Sequence, residues 1–264
     1  MKFSGQILKM ISEYDSPIQY YLNLSGDLLH MNQLLYKKII LHHIGYQCVS
    51  CGKDIPLYRM GFCKDCFFKS PYASETIIRP ELSQAHLGIE ERDLEVEEKI
   101  QLVPHIVYLS YTSEVKVGVT RESQIPTRWI DQGALQALPI ARTENRYEAG
   151  VIEVALKEHL ADKTNYRQML STMESNTDLN KTKQEIIRFI PEESQQFILP
   201  ESELWNLKYP YEVPEKITSF SLDKKPELGG ILKGIKGQYL CFDEGNFINI
   251  RSHEGYVIDL TIQN

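Results

Sequence analysis

His105-Ile106-Val107-Tyr108-Leu109-Ser110-Tyr111-Thr112-Ser113-Glu114-Val115-Lys116-Val117-Gly118-Val119-Thr120 is the stretch on which the reading of this chain turns. Its β-branched and aromatic residues predict a strand over 105–111. Thr112-Ser113 supplies a short hairpin turn, and 115–120 alternates with period two as a second strand. Pro126 suits the first turn of a helix over 127–132, which Gly133 ends. Residues 135–141 are a candidate third strand. Over 144–160, Ala149, Ile152, Leu156 and Leu160 recur at helical spacing and form one apolar face. A shorter helix is expected over 165–170. Together these elements predict a small α/β unit over 105–175.

Upstream, Cys48-Val49-Ser50-Cys51 and Cys63-Lys64-Asp65-Cys66 form two CxxC knuckles on a short spacer. That spacing places four thiolates where one tetrahedral ion can close them, with Gly52 and Gly61 relieving the tight backbone. Four cysteine ligands leave no open position, so the expected cofactor is structural zinc held by Cys48, Cys51, Cys63 and Cys66. A redox pair or two disulfides is the alternative. From Tyr46 to Arg79 the chain carries five bases against three acids, interleaved with Tyr46, Tyr58, Phe62, Phe67, Phe68 and Tyr72. Such a mixture binds single-stranded nucleic acid by charge and stacking, or packs a module too small for its own core.

The remaining segments divide as follows. Residues 1–46 are β-rich, with strands over 2–11, 18–24 and 37–42 and turns at Asp15-Ser16-Pro17 and Ser25-Gly26-Asp27. The zinc module occupies 47–70. A connector over 71–104 carries the acidic run 90–99, read as a solvated helical face. A second connector, 176–228, holds a polar break at 175–181, a short amphipathic helix over 183–190 and four prolines. Strands over 231–235, 238–242, 246–250 and 256–262 make a small β-barrel of the tail, 229–264. The N-terminal strands are candidates to complete it, bringing the two ends together. Cys241 is a small core residue.

The 264 residues suffice for one large domain or several small ones. Hydrophobic residues at 42% and charged residues at 25% describe a globular chain rather than a disordered one. A net charge of −7 argues against coating nucleic acid by bulk charge but leaves room for a local basic site. No stretch reaches the ~20 apolar residues of a membrane span, and Met1–Gln6 opens no signal sequence, so no membrane partner and a cytoplasmic location are expected.

The α/β unit resembles the GIY-YIG endonuclease superfamily in Ile106-Val107-Tyr108, in Lys116-Val117-Gly118-Val119-Thr120 and in Arg128-Trp129, over about a quarter of the chain. In that family two tyrosines and an arginine surround the scissile phosphate, and a glutamate on a later helix holds one divalent cation. The resemblance implies Tyr108 as the first tyrosine, Gly118 as the second-motif glycine, Arg128 as the catalytic arginine and Glu153 as the ligand of Mg2+ or Mn2+. Ile106 and Val107 replace glycine and isoleucine, and the loop from Gly118 to Arg128 is slightly long. Lys116 replaces the second tyrosine, as in a divergent phage-type branch that reads Lys-Ile-Gly-Val-Thr. The whole chain, with Arg79-Pro80-Glu81-Leu82 and Gly234-Ile235-Lys236-Gly237-Gln238-Tyr239, also resembles a bacterial domain-of-unknown-function family. That likeness implies the zinc-plus-α/β architecture. The fold class is thus α+β: a GIY-YIG-like core, a four-cysteine zinc knuckle or ribbon, and the small barrel.

The chemistry of each residue has two readings. Glu153, on the border of the apolar stripe, is a partly desolvated carboxylate that expects a metal or a salt bridge to Arg128 or Arg146. Glu148 is the second choice for the metal. Tyr108 is a phosphate-site phenol or a core tyrosine. Lys116 is a phosphate ligand, a base, or an exposed strand lysine. Arg128 grips phosphate, caps its helix or pairs with Asp131. With eight bases against eight acids over 105–170, any phosphate site must be a focused cleft. The leading expectation is metal-dependent phosphodiester hydrolysis on DNA or RNA. The alternative is a non-catalytic nucleic-acid or ribonucleoprotein binding module, and a third reading is a protein partner for the acidic run 90–98.

Overall fold

Alternating burial marks most strands of the computed structural model, which describes residues 1–160 and 165–263. In chain order the strands are β1 (Lys2–Gln6), β2 (Leu8–Glu13), β3 (Gln19–Leu24), β4 (Asp27–His30), β5 (Lys38–Tyr46), β6 (His105–Tyr111), β7 (Val115–Arg121), β8 (Gln136–Thr143), β9 (Trp205–Asn206), β10 (Thr218–Ser219), β11 (Glu227–Lys236), β12 (Tyr239–Phe242), β13 (Asn246–Asn249) and β14 (Tyr256–Gln263). The helices are α1 (Lys64–Lys69), α2 (Leu94–Gln101), α3 (Thr127–Asp131), α4 (Arg146–Lys157), α5 (Tyr166–Ser171) and α6 (Leu179–Ile186). They divide between two units, one of residues 1–68 with 207–264 and one of residues 69–206. The charges counted above at Asp162 and Lys163 lie outside the described residues. No described helix is long and apolar enough to cross a membrane.

In the first unit the tail strands share one sheet with two of the N-terminal strands, β1 and β5, in the order β1-β14-β5-β11-β12-β13-β10, while β3 lies in another sheet. Phe3 lies opposite Leu260, and Leu41 of β5 lies opposite both Leu260 and Leu228. The sheet is open, which corrects the expected barrel. Closure requires the first and last strands to bond to each other. Here β1 and β10 remain the two edges, and β10 is only two residues long. The strand expected over 2–11 also breaks, because Ile7 is fully buried at a corner. Its N–H donates to Tyr256 O at 2.7 Å and its carbonyl accepts from Gly255 N at 2.9 Å. Beyond it β2 leaves for a separate sheet of order β2-β3-β4.

In the second unit the sheet order is β7-β6-β8-β9, antiparallel throughout. Val107, Leu109 and Val117 pack with Leu138 and Ile140, under Ala149, Ile152 and Leu156 of α4 and Leu179 and Ile186 of α6. This is the apolar stripe read from the sequence, and Leu160 packs against its rim. On α3, Trp129 is fully buried and meets Tyr108 edge-on at 5.7 Å between centroids. Helix α6 starts earlier than its amphipathic pattern implied. Asp178 caps it by accepting from the Asn180 and Lys181 N–H groups at 2.9 and 3.2 Å, so the polar break becomes its first turn.

The acidic run is helical over α2, but it is not a uniformly solvated face. Glu97 is 1% exposed. Its carboxylate accepts from the backbone N–H groups of Glu91, Arg92 and Asp93 at 3.0, 2.8 and 3.2 Å. Three donors repay the desolvation of a charge that exposure alone would have satisfied.

The segment before α2 is fastened to α4 by Gly150. A Cβ at Gly150 would overlap the Glu81 amide nitrogen and sit 2.6 Å from the Pro80 carbonyl carbon. Alanine would gain about 1 kcal/mol of helix propensity. Overpacking against backbone, which cannot swing aside, costs about 1–3 kcal/mol. We therefore expect Gly150→Ala to destabilise this unit by up to about 2 kcal/mol in urea unfolding. A neutral or stabilised variant would show that 80–82 is not held against the helix.

Candidate functional site

The sulfur atoms of Cys48, Cys51, Cys63 and Cys66 all lie within 4.8 Å of one another. Tetrahedral zinc with bonds of about 2.3 Å holds its sulfurs about 3.8 Å apart, so the donor set fits that ion. Gly52 and Gly61, with φ of 67° and 75°, turn the backbone around the thiols. The Cys63 N–H donates to Cys48 Sγ at 3.2 Å. Burial opposes ionisation of Cys48, but the backbone N–H groups of Cys51, Cys63 and Ser50 outweigh it and bring this thiol down to about 6. Hydrogen bonding with Cys63, reinforced by burial, pushes Cys66 up to about 12. The cluster is built to keep at least one thiolate, which is the form that binds metal. Nearby, Tyr58, Phe67 and Phe68 pack on one another at 5.2–5.7 Å, with Arg59 5.4 Å over the Tyr58 ring. Tyr58 and Phe68 stay exposed, while Phe62 is buried.

A second group of residues lies at β7, one edge of the four-stranded sheet. Gly118 lies directly opposite Tyr108. A Cβ on Gly118 would come within 2.8 Å of Tyr108 Oη, so the phenol passes over this glycine. Tyr108 is 1% exposed and its hydroxyl donates to Gln132 Oε1 at 3.2 Å. Burial raises the phenol pKa, against the pull of Arg128 and Gln132, and the Glu153 carboxylate adds to the rise. Tyr108 is therefore a hydrogen-bond donor at neutral pH, and the charges of Arg128 on α3 and Glu153 on α4 both reach its phenol. Lys116 stands opposite Ser110, on the Tyr108 side of β7, and is buried rather than the exposed strand lysine of the simpler reading.

Glu153 is buried, and its ion pair is with neither arginine the sequence offered. Lys157, one turn on, holds Oε1 at 3.2 Å. Burial raises the Glu153 pKa, Lys157 and then Arg146 pull it back, and Glu81 adds to the rise. Arg146 donates from Nε and Nη2 to the Thr76 and Ile77 carbonyls at 2.9 and 2.8 Å. Burial pushes its guanidinium down to about 10, Glu153 opposes this, and Arg128 and Arg121 reinforce it. Glu148 instead closes the first turn of α4, accepting from the Glu144 N–H at 3.1 Å.

A family profile described as a protein of unknown function (DUF2797) matches residues 36–258. The chain belongs to the DUF2797 family. No curated protein and no solved structure matches it. The DUF2797 match spans both the four-cysteine cluster and the β7-edge cluster, so both are features of the family's own segment.

Two residues of this DUF2797 site escaped the sequence reading. His105 and Arg121 face each other across the hairpin, a pairing that becomes readable once the Thr112-Ser113 turn sets the register. His105 is fully buried and its Nδ1 bonds the Val103 carbonyl at 2.7 Å. Burial brings its pKa down to about 4, with Arg146 and Arg121 contributing against the Val103 bond. Between about pH 6.5 and 4 the unfolded chain binds a proton that the native chain refuses. Stability is thus held above pH 6.5 and lost as pH falls, by up to about 3 kcal/mol from this group. Unfolding curves at pH 7.5, 6 and 4.5 should show that loss, and His105→Asn should flatten it. An equal slope in the variant would assign the loss to other groups.

Proposed function

We propose that this chain is a zinc-containing nucleic-acid-processing protein, hydrolysing phosphodiesters at a divergent GIY-YIG-like site on the β7 edge. One observation carries the reading: the buried Tyr108 phenol lies over Gly118 with its hydroxyl held by Gln132, and the charges of Arg128 and Glu153, from two further elements, both reach it. Phosphodiester cleavage needs that combination of a fixed cation, an oriented donor and a carboxylate. Arg128 suits the phosphate because its planar fork matches the oxygens, and no described carboxylate lies within ion-pairing distance of it. Tyr108, kept protonated, orients a phosphate oxygen or the attacking water. Lys116, on the same side of β7, adds positive charge. The buried Glu153 carboxylate fits Mg2+ or Mn2+, which binds through one or two carboxylates together with substrate phosphate. Such an ion, when bound, polarises the phosphate and stabilises the leaving oxygen. The four-cysteine zinc supports the fold.

The test is cleavage of single- and double-stranded DNA and RNA by zinc-loaded protein with added Mg2+ or Mn2+. Metal-dependent cleavage lost in Arg128→Ala and Glu153→Gln, with zinc content unchanged, supports the nuclease. Cleavage equal in both variants would place it in another site or another protein. The Lys157–Glu153 ion pair favours a second reading, in which the same pocket binds nucleic acid without cutting it. Salt-sensitive binding weakened by Arg128→Ala, with no cleavage, would establish that one.

A further inference from the structure

The aromatic residues of the four-cysteine module had two roles open to them, packing or binding, and their burial separates the two. Phe62 packs, at 9% exposure. Tyr58 and Phe68 stay 44% and 55% exposed, in a module that is short of core. These rings are held together rather than scattered. Centroids lie 5.2 Å apart for Tyr58 and Phe67, 5.3 Å for Phe67 and Phe68, and 5.7 Å for Tyr58 and Phe68. The backbone fixes each side of the cluster. Tyr58 precedes a tight turn, Arg59–Phe62, with Met60 and Gly61 both at positive φ, as a type I′ turn requires. Its N–H donates to the Phe62 carbonyl at 2.7 Å, and the Phe62 N–H donates to the Arg59 carbonyl at 2.9 Å. Phe67 and Phe68 stand on α1, which starts one residue after Cys63 and contains Cys66, so two of the four thiols anchor it.

Two cations border the rings. The Arg59 guanidinium lies 5.4 Å over the Tyr58 ring. Lys64 precedes Phe67 and Phe68 by three and four residues, so it shares their face of α1. Both cations are exposed, and neither has a carboxylate within ion-pairing distance among the described residues. Asp65, the single acid between residues 58 and 68, sits about 100° round the helix from Lys64. An apolar protein surface laid on the rings would desolvate Arg59 and Lys64 without answering their charge. A single-stranded nucleic acid answers both features, because its bases stack on exposed rings and its phosphates meet the cations. A duplex has already stacked its bases on one another. We infer that Tyr58 and Phe68 form a stacking platform for single-stranded nucleic acid, with Arg59 and Lys64 on the phosphates. The inference rests on the reading of this chain as a nucleic-acid-processing protein, and it names the form of strand taken, one with unpaired bases.

Binding is measured with labelled nonathymidylate, nonauridylate and a mixed-sequence DNA duplex, without added divalent cation so that no cleavage intervenes. Tyr58→Ala and Phe68→Ala are each expected to weaken both single strands about tenfold and to leave the duplex unchanged. Tyr58→Phe keeps the ring and should bind as the wild type does. Arg59→Gln and Lys64→Gln should each lower the slope of the salt dependence by about 0.7, one phosphate contact on a single strand. Zinc content and protease resistance over 48–66 report the fold of each variant. Where an alanine variant loses zinc, Tyr58→Leu or Phe68→Leu takes its place, keeping apolar bulk without a π-face. Unchanged single-strand binding in both ring variants, equal weakening of the duplex, or no single-strand binding by the wild-type protein would overturn the platform. The nuclease reading fails separately. A wild-type protein that cuts nothing while the ring pattern persists removes hydrolysis and keeps the platform; cleavage without single-strand binding does the reverse.

Discussion

Cys63→Ser is expected to strip the metal from the knuckles and unfold the segment around residues 48–66. Metal analysis should fall from about one zinc per chain to background, and limited proteolysis should open this segment. The effect is large because the module has little else to hold it. Of its apolar side chains Phe62 is buried, while Tyr58, Met60 and Phe68 are exposed. A structural zinc supplies about 10–16 kcal/mol of apparent binding free energy, comparable to the whole net stability of a domain, about 5–15 kcal/mol. Serine at 63 removes one of four ligands and a thiol that is itself buried. The backbone N–H of residue 63, which bonds Cys48 Sγ, stays but loses its geometry. Chelation of the wild-type protein should reproduce the variant's proteolysis pattern. A zinc-free wild-type protein that resists protease over 48–66 would show that the cysteines hold this loop without a metal.

Arg128→Ala is expected to lower phosphodiester cleavage by about 10²–10³-fold, the usual cost of removing one fixed group that meets developing charge. Glu153→Gln should cost at least as much and should also abolish the Mg2+ or Mn2+ dependence. Neither change should unfold the chain. Arg128 has no described ion pair to break, and Glu153→Gln keeps side-chain size while removing a buried carboxylate whose desolvation is unfavourable. Arg128→Lys separates shape from charge. If the fork matters, lysine recovers little of the rate. Full activity in Arg128→Ala would end the proposed role for this residue, whatever happens at Glu153.

The hairpin and α4 were legible because their signals are local. Val115, Val117 and Val119 alternate on one strand, and Ala149, Ile152 and Leu156 share one helical face. Cys48, Cys51, Cys63 and Cys66 were legible because two knuckles on a short spacer bring their thiols together without help from distant chain. The barrel was misread for the opposite reason. Short alternating strands say which face is buried, but not whether β1 and β10 meet. The polarity of Glu97 was misread because three backbone donors from 91–93 curl back to it, and no pattern of side chains records that loop. The buried Lys236 is a similar case: two aromatic rings, Tyr209 and Tyr211, lie within 6 Å of its ammonium, from a part of the sequence that shows no pairing signal.

By itself the sequence determined the residue types available at the β7 edge, the helical stripe that buries α4 and the closeness of the four thiols, since each follows from spacing along one or two neighbouring elements. The pairs Lys157–Glu153 and Arg79–Glu81 are local in the chain. Tertiary structure alone decided that Arg121, Arg128 and Arg146, on β7, α3 and α4, have no described carboxylate within ion-pairing distance. Charge balance at a site depends on distances between elements far apart in the chain, and an overall count of eight bases against eight acids carries none of that information.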